Sequence, residues 1–158
     1  MLPATRRSAV LGLIIVPWLA VVAAANAAED GVTAPGAKVE RLAGDFKFTE
    51  GPTADAAGNV FFTDQPNDRI LKWSLDGKLS ISMQPAGRAN GMCFEAQGQL
   101  LACADEHNEL WSISPDGKKT VLLKEYQGKR LNGPNDVWVR PGGGLYFTDP
   151  FYKRPWWQ

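Results

Sequence analysis

The feature that most constrains the fold of this chain is an internal repeat with a period of about 40 residues. Three residues open its copies, Glu50, Asn90 and Asn135, and each lies eight residues before a turn glycine. After the first and third of these glycines the chain reads NVFFTD and GLYFTD. A repeat kept in phase over this distance predicts that the three copies form one structural unit each.

Each copy consists of short strand-like runs separated by turns. Residues 69–74 and 109–114 read RILKWS and ELWSIS, and an Asp-Gly turn follows each run. Further runs follow at 79–83 and 120–123. Four short strands per copy and a period of 40 to 45 residues are typical of a β-propeller blade. Since no stretch after residue 27 repeats apolar residues at helical spacing, we predict an all-β propeller.

The repeat also divides the chain into predicted regions. We expect a signal peptide over residues 1–27, a linker over 28–37 and a partial propeller over 38–158. The predicted boundaries within the propeller are a closing outer strand at about 38–42, blade one at about 50–83, blade two at about 90–123 and the start of blade three at about 135–158.

The segment from Met1 to Ala27 has the organisation of a secretory signal peptide. Arg6 and Arg7 precede an apolar run, and Ala25-Asn26-Ala27 provides a small-x-small end. The uninterrupted apolar run is shorter than the ~20 residues that span a bilayer, so cleavage after Ala27 is favoured over a membrane anchor. We therefore expect an exported protein, periplasmic or secreted, without a stable membrane span after cleavage. The sequence leaves the export route open.

Charge and cysteine content narrow the partners and the chemistry. The chain has 17 basic and 17 acidic residues and no basic stripe after the signal segment, so nothing predicts a nucleic-acid partner. Cys93 and Cys103 are the only cysteines, and an oxidising compartment would favour their pairing. A turn near Gln97-Gly98, however, would place Cys93 opposite Leu100 or Leu101. We expect both cysteines to be small buried apolar residues.

The repeat predicts that three polar side chains meet. The first strand of every propeller blade lines the central channel, so Glu50, Asn90 and Asn135 should converge around the axis. Carboxylate and amide oxygens suit calcium or magnesium rather than zinc. The alternative is that these residues only form turns at the start of strands.

With these positions assigned, residues 45–154 resemble the gluconolactonase and regucalcin (senescence marker protein) family of six-bladed propellers, in its bacterial gluconolactonase-like branch. The motifs that carry the resemblance are Glu50-Gly51-Pro52, Asn90-Gly91-Met92, ADEHNELW at 104–111, Leu131-Asn132-Gly133-Pro134-Asn135-Asp136 and Tyr146-Phe147-Thr148-Asp149-Pro150. Six blades of about 42 residues need roughly 250 residues, so about two and a half blades are present and the sequence is expected to be an N-terminal fragment.

The resemblance implies a role for each inner-strand residue. Glu50 and Asn135 match ligands of one divalent cation, usually calcium, and Asp136 is a candidate ligand of a second, structural calcium. Asn90 would face the substrate. Vertebrate members have a sugar-binding Arg where this chain has Gly133, and Arg130 is a candidate substitute. The family's catalytic base is an Asp of a later blade, beyond residue 158, so no catalytic residue is assigned.

The activity implied by the resemblance is the opening of sugar lactones such as glucono-1,5-lactone. In such a site the cation polarises the ester carbonyl while water attacks. The fragment itself is expected to be inactive. Two alternatives are a non-enzymatic binding propeller and a hydrolase of the phosphotriesterase or arylesterase type, like diisopropylfluorophosphatase or paraoxonase. His107, the only histidine, is interpreted as a rim or turn residue rather than a catalytic one.

Overall fold

The computed structural model describes residues 34–155, and the chain divides into two units, Met1–Glu40 and Arg41–Gln158. The described part of the first unit, residues 34–40, contains one turn and no strand. The predicted signal peptide lies outside the described residues, so its cleavage stays a prediction. Within residues 34–155 no helix is long and apolar enough to cross a membrane.

The second unit is built from antiparallel strands. Its strands are β1 (Thr49–Ala54), β2 (Val60–Asp64), β3 (Arg69–Trp73), β4 (Leu79–Met83), β5 (Ala89–Phe94), β6 (Leu100–Ala104), β7 (Glu109–Ile113), β8 (Lys119–Leu123), β9 (Glu125–Tyr126), β10 (Lys129–Arg130), β11 (Val137–Val139) and β12 (Leu145–Phe147). Helical structure is limited to two short 3-10 turns among the described residues, Gln65–Asn67 and Asp105–His107. The prediction of an all-β fold is confirmed.

The strands form sheets in the simplest possible order. One four-stranded sheet has the order β1-β2-β3-β4 and a second has the order β5-β6-β7-β8. Strands β11 and β12 form a two-stranded sheet, and β9 pairs with β10 in a short ribbon. Consecutive four-stranded antiparallel sheets of this kind are the blades of a propeller-type fold.

Matching turns explain why the two complete sheets have the same shape. Gly77 and Gly117 end the equivalent turns between the third and fourth strands, with φ of 76° and 82°. In each turn the glycine N–H donates to a serine carbonyl, Gly77 to Ser74 at 2.9 Å and Gly117 to Ser114 at 2.8 Å. Glycine suits these positions because left-handed φ is costly for other residues.

The core lies in two layers on either side of the second sheet. Ala102 and Trp111 pack towards the first sheet against residues that include Phe61 and Ile70. Leu101, Cys103 and Leu110 pack on the opposite face against Val137. This alternation follows from the two-residue period of strand side chains.

The cysteine positions follow from the strand register. Cys93 pairs with Leu101 across β5 and β6, which confirms the predicted register. Cys103 is fully buried and Cys93 is half-buried, and both are free thiols. Burial raises the pKa of the Cys103 thiol to about 12, with a further contribution from the carboxylates of Asp136 and Asp149.

Residues 38–42 differ from the prediction, because they form no strand. The N–H and C=O groups of a strand must pair with a neighbouring strand. The blade that this segment is predicted to complete is not among the described residues. Its closing role therefore stays a prediction.

Candidate functional site

The first strands of successive blades approach each other at backbone distance. A Cβ atom on Gly51 would lie 2.5 Å from the carbonyl oxygen of Asn90, and one on Gly91 would lie 2.7 Å from that of Asn135. Both distances are too short for any side chain. The Gly91 N–H donates to the Asn135 carbonyl at 2.7 Å. The glycine that follows Glu50, and the one that follows Asn90, therefore let the next blade come close.

β1, β5 and the segment just before β11 line a small pocket of about 270 Å³. The residues that line it are Glu50, Gly51, Pro52, Gly91, Met92, Asn135 and Asp136. Three of the predicted site residues, Glu50, Asn135 and Asp136, thus share one cavity. Their side chains offer only oxygen donors and one amide nitrogen, the set that a hard cation such as calcium prefers. Their roles as metal ligands stay predictions.

The other two predicted site residues, Asn90 and Arg130, are not among the residues that line this pocket. Asn90 is 6% exposed and directly precedes Gly91, but it is not among the residues that line the pocket. Arg130 lies in β10 of the short ribbon, is exposed, and is not a lining residue either. The predicted substrate-binding roles of both stay predictions.

The electrostatics of the pocket disfavour a charged Glu50. Burial raises the pKa of this carboxyl above its ordinary value, and the negative charges of Asp136 and Asp105 raise it further. A bound cation would reverse this effect, because it would stabilise the charged form. Within residues 34–155 no group of three or more His, Cys, Asp or Glu side chains is placed to hold a metal. The described residues therefore fit part of a calcium site, which would need the amide oxygen of Asn135 and donors from outside them.

Asp136 is held by its own strand and its neighbour. Its carboxylate accepts from the Val137 N–H at 2.9 Å, and its N–H donates to the Thr148 hydroxyl at 3.0 Å. A side chain at Gly91 would overlap this carboxylate. The glycine of blade two thus makes room for the acidic group of blade three.

The repeated Phe-Thr-Asp motif anchors the segments that lead to the pocket residues of blades one and three. The Asp149 carboxylate accepts from the N–H groups of Asn132 at 2.9 Å and Gly133 at 2.8 Å. Its counterpart Asp64, which ends the same motif in blade one, makes equivalent bonds there. The Asp64 partners are the N–H groups of Lys47 at 3.0 Å and Phe48 at 3.3 Å. Blade two has Ala104 at this position.

A guanidinium that the sequence pattern did not single out lies beside Gly133. Arg154 forms an ion pair with Asp105, and its Nε donates to the Asn132 carbonyl at 2.9 Å. A Cβ atom on Gly133 would collide with both partners of this ion pair. Arg154 comes from the segment after β12, so only the folded chain reveals that it lies next to Gly133.

His107 is exposed in the turn between β6 and β7, in the loop where it was predicted. Its ring stacks on Trp111 with centroids 5.7 Å apart and an interplanar angle of 23°. It is not among the residues that line the pocket. Stacking on a core tryptophan gives it a structural contact.

The fold and the pocket define a class: a propeller-type protein whose inner strands carry an acidic, oxygen-rich pocket. Residues 48–155 match the family model described as SMP-30/Gluconolactonase/LRE-like region, and the chain belongs to this family. The family predicted from the motifs is confirmed.

Known relatives agree with this assignment. The gluconolactonase of Zymomonas mobilis subsp. mobilis is 31% identical over 129 residues, which cover 72% of this chain and 36% of that protein. An X-ray structure of a candidate gluconolactonase superimposes with a TM-score of 0.70 at 40% identity, covering 74% of this chain and 41% of that one. A gluconolactonase structure from Xanthomonas campestris gives 0.67 at 32% identity, with coverage of 69% and 37%. The chain thus spans about two fifths of the length of these proteins.

Proposed function

We propose that this chain forms part of a six-bladed propeller that opens sugar lactones such as glucono-1,5-lactone with calcium bound in the channel. Membership of the gluconolactonase family supports a lactonase-type hydrolase. The observation that carries the proposal is the pocket that Glu50 of β1 shares with Asn135 and Asp136, which lie just before β11. We further propose that the protein is exported, as the segment from Met1 to Ala27 predicts.

Glu50 and Asn135 would hold the cation, and Asp136 is the candidate for a second one. A bound cation supplies Lewis acidity, which polarises the lactone carbonyl. Glu50 contributes the formal charge, and its raised pKa reflects the cost of that charge in a half-buried, acidic pocket. Asn135 contributes a neutral oxygen on a backbone that the Gly91 N–H holds from the neighbouring blade.

The remaining residues would orient the substrate. Asn90 stands at the channel-facing phase of the repeat in blade two and would face the lactone, and Arg130 or Arg154 would provide a cationic donor for sugar oxygens. Arg154 has the better support, because it lies beside the loop that leads to Asn135 and its guanidinium is held by Asp105. The proton acceptor for the attacking water would come from a later blade, as the family resemblance implies.

The test compares point variants of the full-length protein. Glu50→Gln keeps the size of the side chain but removes its charge, so calcium affinity should fall by roughly two orders of magnitude and lactone hydrolysis should be lost. Asn135→Ala removes a neutral ligand and should weaken calcium binding less, yet still remove most of the activity. Asn90→Ala should raise KM more than it weakens calcium binding. The measurements are calorimetric calcium titration and hydrolysis of glucono-1,5-lactone.

His107→Ala is the control, because it removes an exposed ring outside the pocket and should leave both measurements unchanged. Normal calcium affinity and normal rates in Glu50→Gln would contradict the proposal and favour a binding propeller. Hydrolysis of phosphotriesters or aryl esters in preference to lactones would favour the alternative hydrolase.

A further inference from the structure

Thr63 connects the first strands of two blades through one buried hydroxyl. It lies in β2, is 1% exposed and pairs with Glu50 across β1 and β2. Its Oγ1 lies 3.0 Å from the Glu50 carbonyl oxygen and 3.2 Å from the Asn90 carbonyl oxygen. The hydroxyl hydrogen is therefore shared between blade one and blade two, at the backbone carbonyls of Glu50 and Asn90.

The hydroxyl is needed for this contact, whereas the volume of the side chain is not. A buried hydroxyl destabilises a protein unless it forms a hydrogen bond, and valine would fill the same space without one. The positions in phase with Thr63 in the other two copies are Cys103 and Thr148. Cys103 packs in an apolar cluster, and the Thr148 hydroxyl accepts from Asp136 within its own blade. Of these three, Thr63 alone is hydrogen-bonded to two blades.

Two opposing contacts then fix the distance between Glu50 and Asn90. Gly51 packs against the Asn90 backbone so closely that an added Cβ would lie 2.5 Å from the Asn90 carbonyl oxygen, and this packing opposes a closer approach. The Thr63 hydroxyl attracts both carbonyl oxygens and opposes separation. Both first strands also carry an irregularity at this level, between Glu50 and Thr53 in β1 and between Ala89 and Met92 in β5. An irregular strand has fewer ladder bonds of its own to hold these positions.

We propose that Thr63 is a positioning residue, which fixes the spacing between Glu50, the proposed cation ligand, and Asn90, the proposed substrate-facing residue. The proposal rests on the lactonase function proposed above, in which Glu50 binds calcium and Asn90 faces the lactone. Thr63 is buried and does not line the pocket, so it would touch neither the cation nor the lactone. It acts through the backbone of both residues, so its loss should change calcium affinity and KM together.

The test uses the full-length protein with Thr63→Val, Thr63→Cys and Thr63→Ser. Valine keeps the shape without the hydroxyl, and cysteine is the residue that blade two has at the equivalent position. Both should weaken calcium binding and lower kcat/KM by roughly tenfold to a hundredfold, because small misplacements of a site are costly. Serine keeps the hydroxyl and should restore both values to near those of the wild type. Ile70→Val is the matched control, since it trims the buried core of the same blade and should lower only the melting temperature.

Amide hydrogen exchange gives a readout that does not depend on activity. Thr63→Val should speed exchange in residues 49–54 and 89–94, and Ile70→Val should not do so selectively. Wild-type affinity, kinetics and exchange in Thr63→Val, even with a lower melting temperature, would overturn the proposal. Loss of function in Thr63→Ser would overturn it as well, because packing of the methyl group would then be the cause. A wild-type protein that neither binds calcium nor opens lactones would refute the proposed function, and the exchange data would still decide the spacing role of Thr63.

Discussion

Two carboxylates of blade one show how the same chemical group is tuned in opposite directions by its neighbours. Asp64 is completely buried, which by itself raises the pKa, but hydrogen bonds from Asn67, Arg69 and two backbone N–H groups outweigh burial and lower it. Glu50 gains no such lowering from the described residues, and burial together with nearby carboxylates raises its pKa. The contrast separates a structural anion, which stays charged, from a site anion that a cation would stabilise.

The lowered pKa of Asp64 predicts how stability depends on acid. Its folded pKa lies below the ordinary value of 3.8, so its contribution is complete above that pH and is lost as the pH falls through the folded value. Asp64→Asn should therefore lower the free energy of unfolding by about 3 kcal/mol at pH 7, because Arg69 loses its buried partner. The difference from wild type should shrink below pH 3.8, as measured by urea unfolding across the pH range.

The matched control for this prediction is Asp76→Asn. Asp76 is also paired with a cation, Lys78, but lies in an exposed turn where ion pairs contribute little. The control should leave the urea midpoint nearly unchanged at pH 7 and below pH 3.8. A gap between Asp64→Asn and wild type that widens in acid would contradict the assignment of Asp64 as a charged anchor.

At the scale of the element, the sequence predicts the strands well because each carries its own signal. Short runs that contain Ile, Leu or Trp flank the Asp-Gly turns where β3, β4 and β7 form, and the turn at Gly98 sets the pairing of Cys93. The ribbon of β9 and β10 has only two residues per strand, too few for any periodic pattern. The sequence therefore does not predict this ribbon.

The candidate site is predicted less completely than the strands that carry it. The phase of the repeat predicts that Glu50, Asn90 and Asn135 converge. In the structure Glu50 and Asn135 line one pocket, whereas Asn90 is not among its lining residues. Asp105, Arg154 and Thr63 gain their importance from contacts between blades, with partners far away in the sequence. Thr63 alone had a usable signal, since the same residue type recurs at Thr148 in phase.

Close packing of the first strands leads to a prediction about Gly91. Alanine there would press against the Asn135 carbonyl oxygen at 2.7 Å and overlap the Asp136 carboxylate, so β5 and the segment before β11 must separate. Gly91→Ala should destabilise the protein by about 1–3 kcal/mol and weaken calcium binding. Thermal melting and calorimetry measure the two effects. Gly44→Ala is the control, because its Cβ would meet only the flexible Arg41 side chain and should change neither quantity.

At the scale of the whole molecule, the third blade leaves an apolar face uncovered in the described residues. Val137, Val139 and Phe147 pack towards blade two, whereas the alternating residues Trp138 and Tyr146 point away from it. Trp138 is 54% exposed and Tyr146 is 59% exposed, and their rings lie 5.7 Å apart. Blades bury such faces against their neighbours, so we expect a further blade to cover this one.

Export is a separate prediction at this scale. A signal peptidase should cut after Ala27, because the apolar run ends there in Ala25-Asn26-Ala27. N-terminal sequencing of the protein recovered from the periplasm or the medium should then begin at Ala28. Material that begins at Met1, or that stays in the membrane fraction, would support the anchor alternative instead.

The exposed face of blade three predicts how the isolated segment behaves. Residues 28–158 produced alone should self-associate and melt broadly, because Trp138 and Tyr146 form an apolar patch that no described residue covers. Size-exclusion chromatography with light scattering and thermal unfolding would measure both effects against the full-length protein.

The double variant Trp138→Lys and Tyr146→Lys should reduce association of the segment without sharpening its melt. Charge improves solubility, but it cannot replace packing against a neighbouring blade. A matched pair of lysines at Ser80 and Thr120, on exposed outer strands, should leave association unchanged. If residues 28–158 gave a monomer with a sharp, cooperative transition, blade three would be stable without a covering partner, and the six-bladed proposal would lose its physical support.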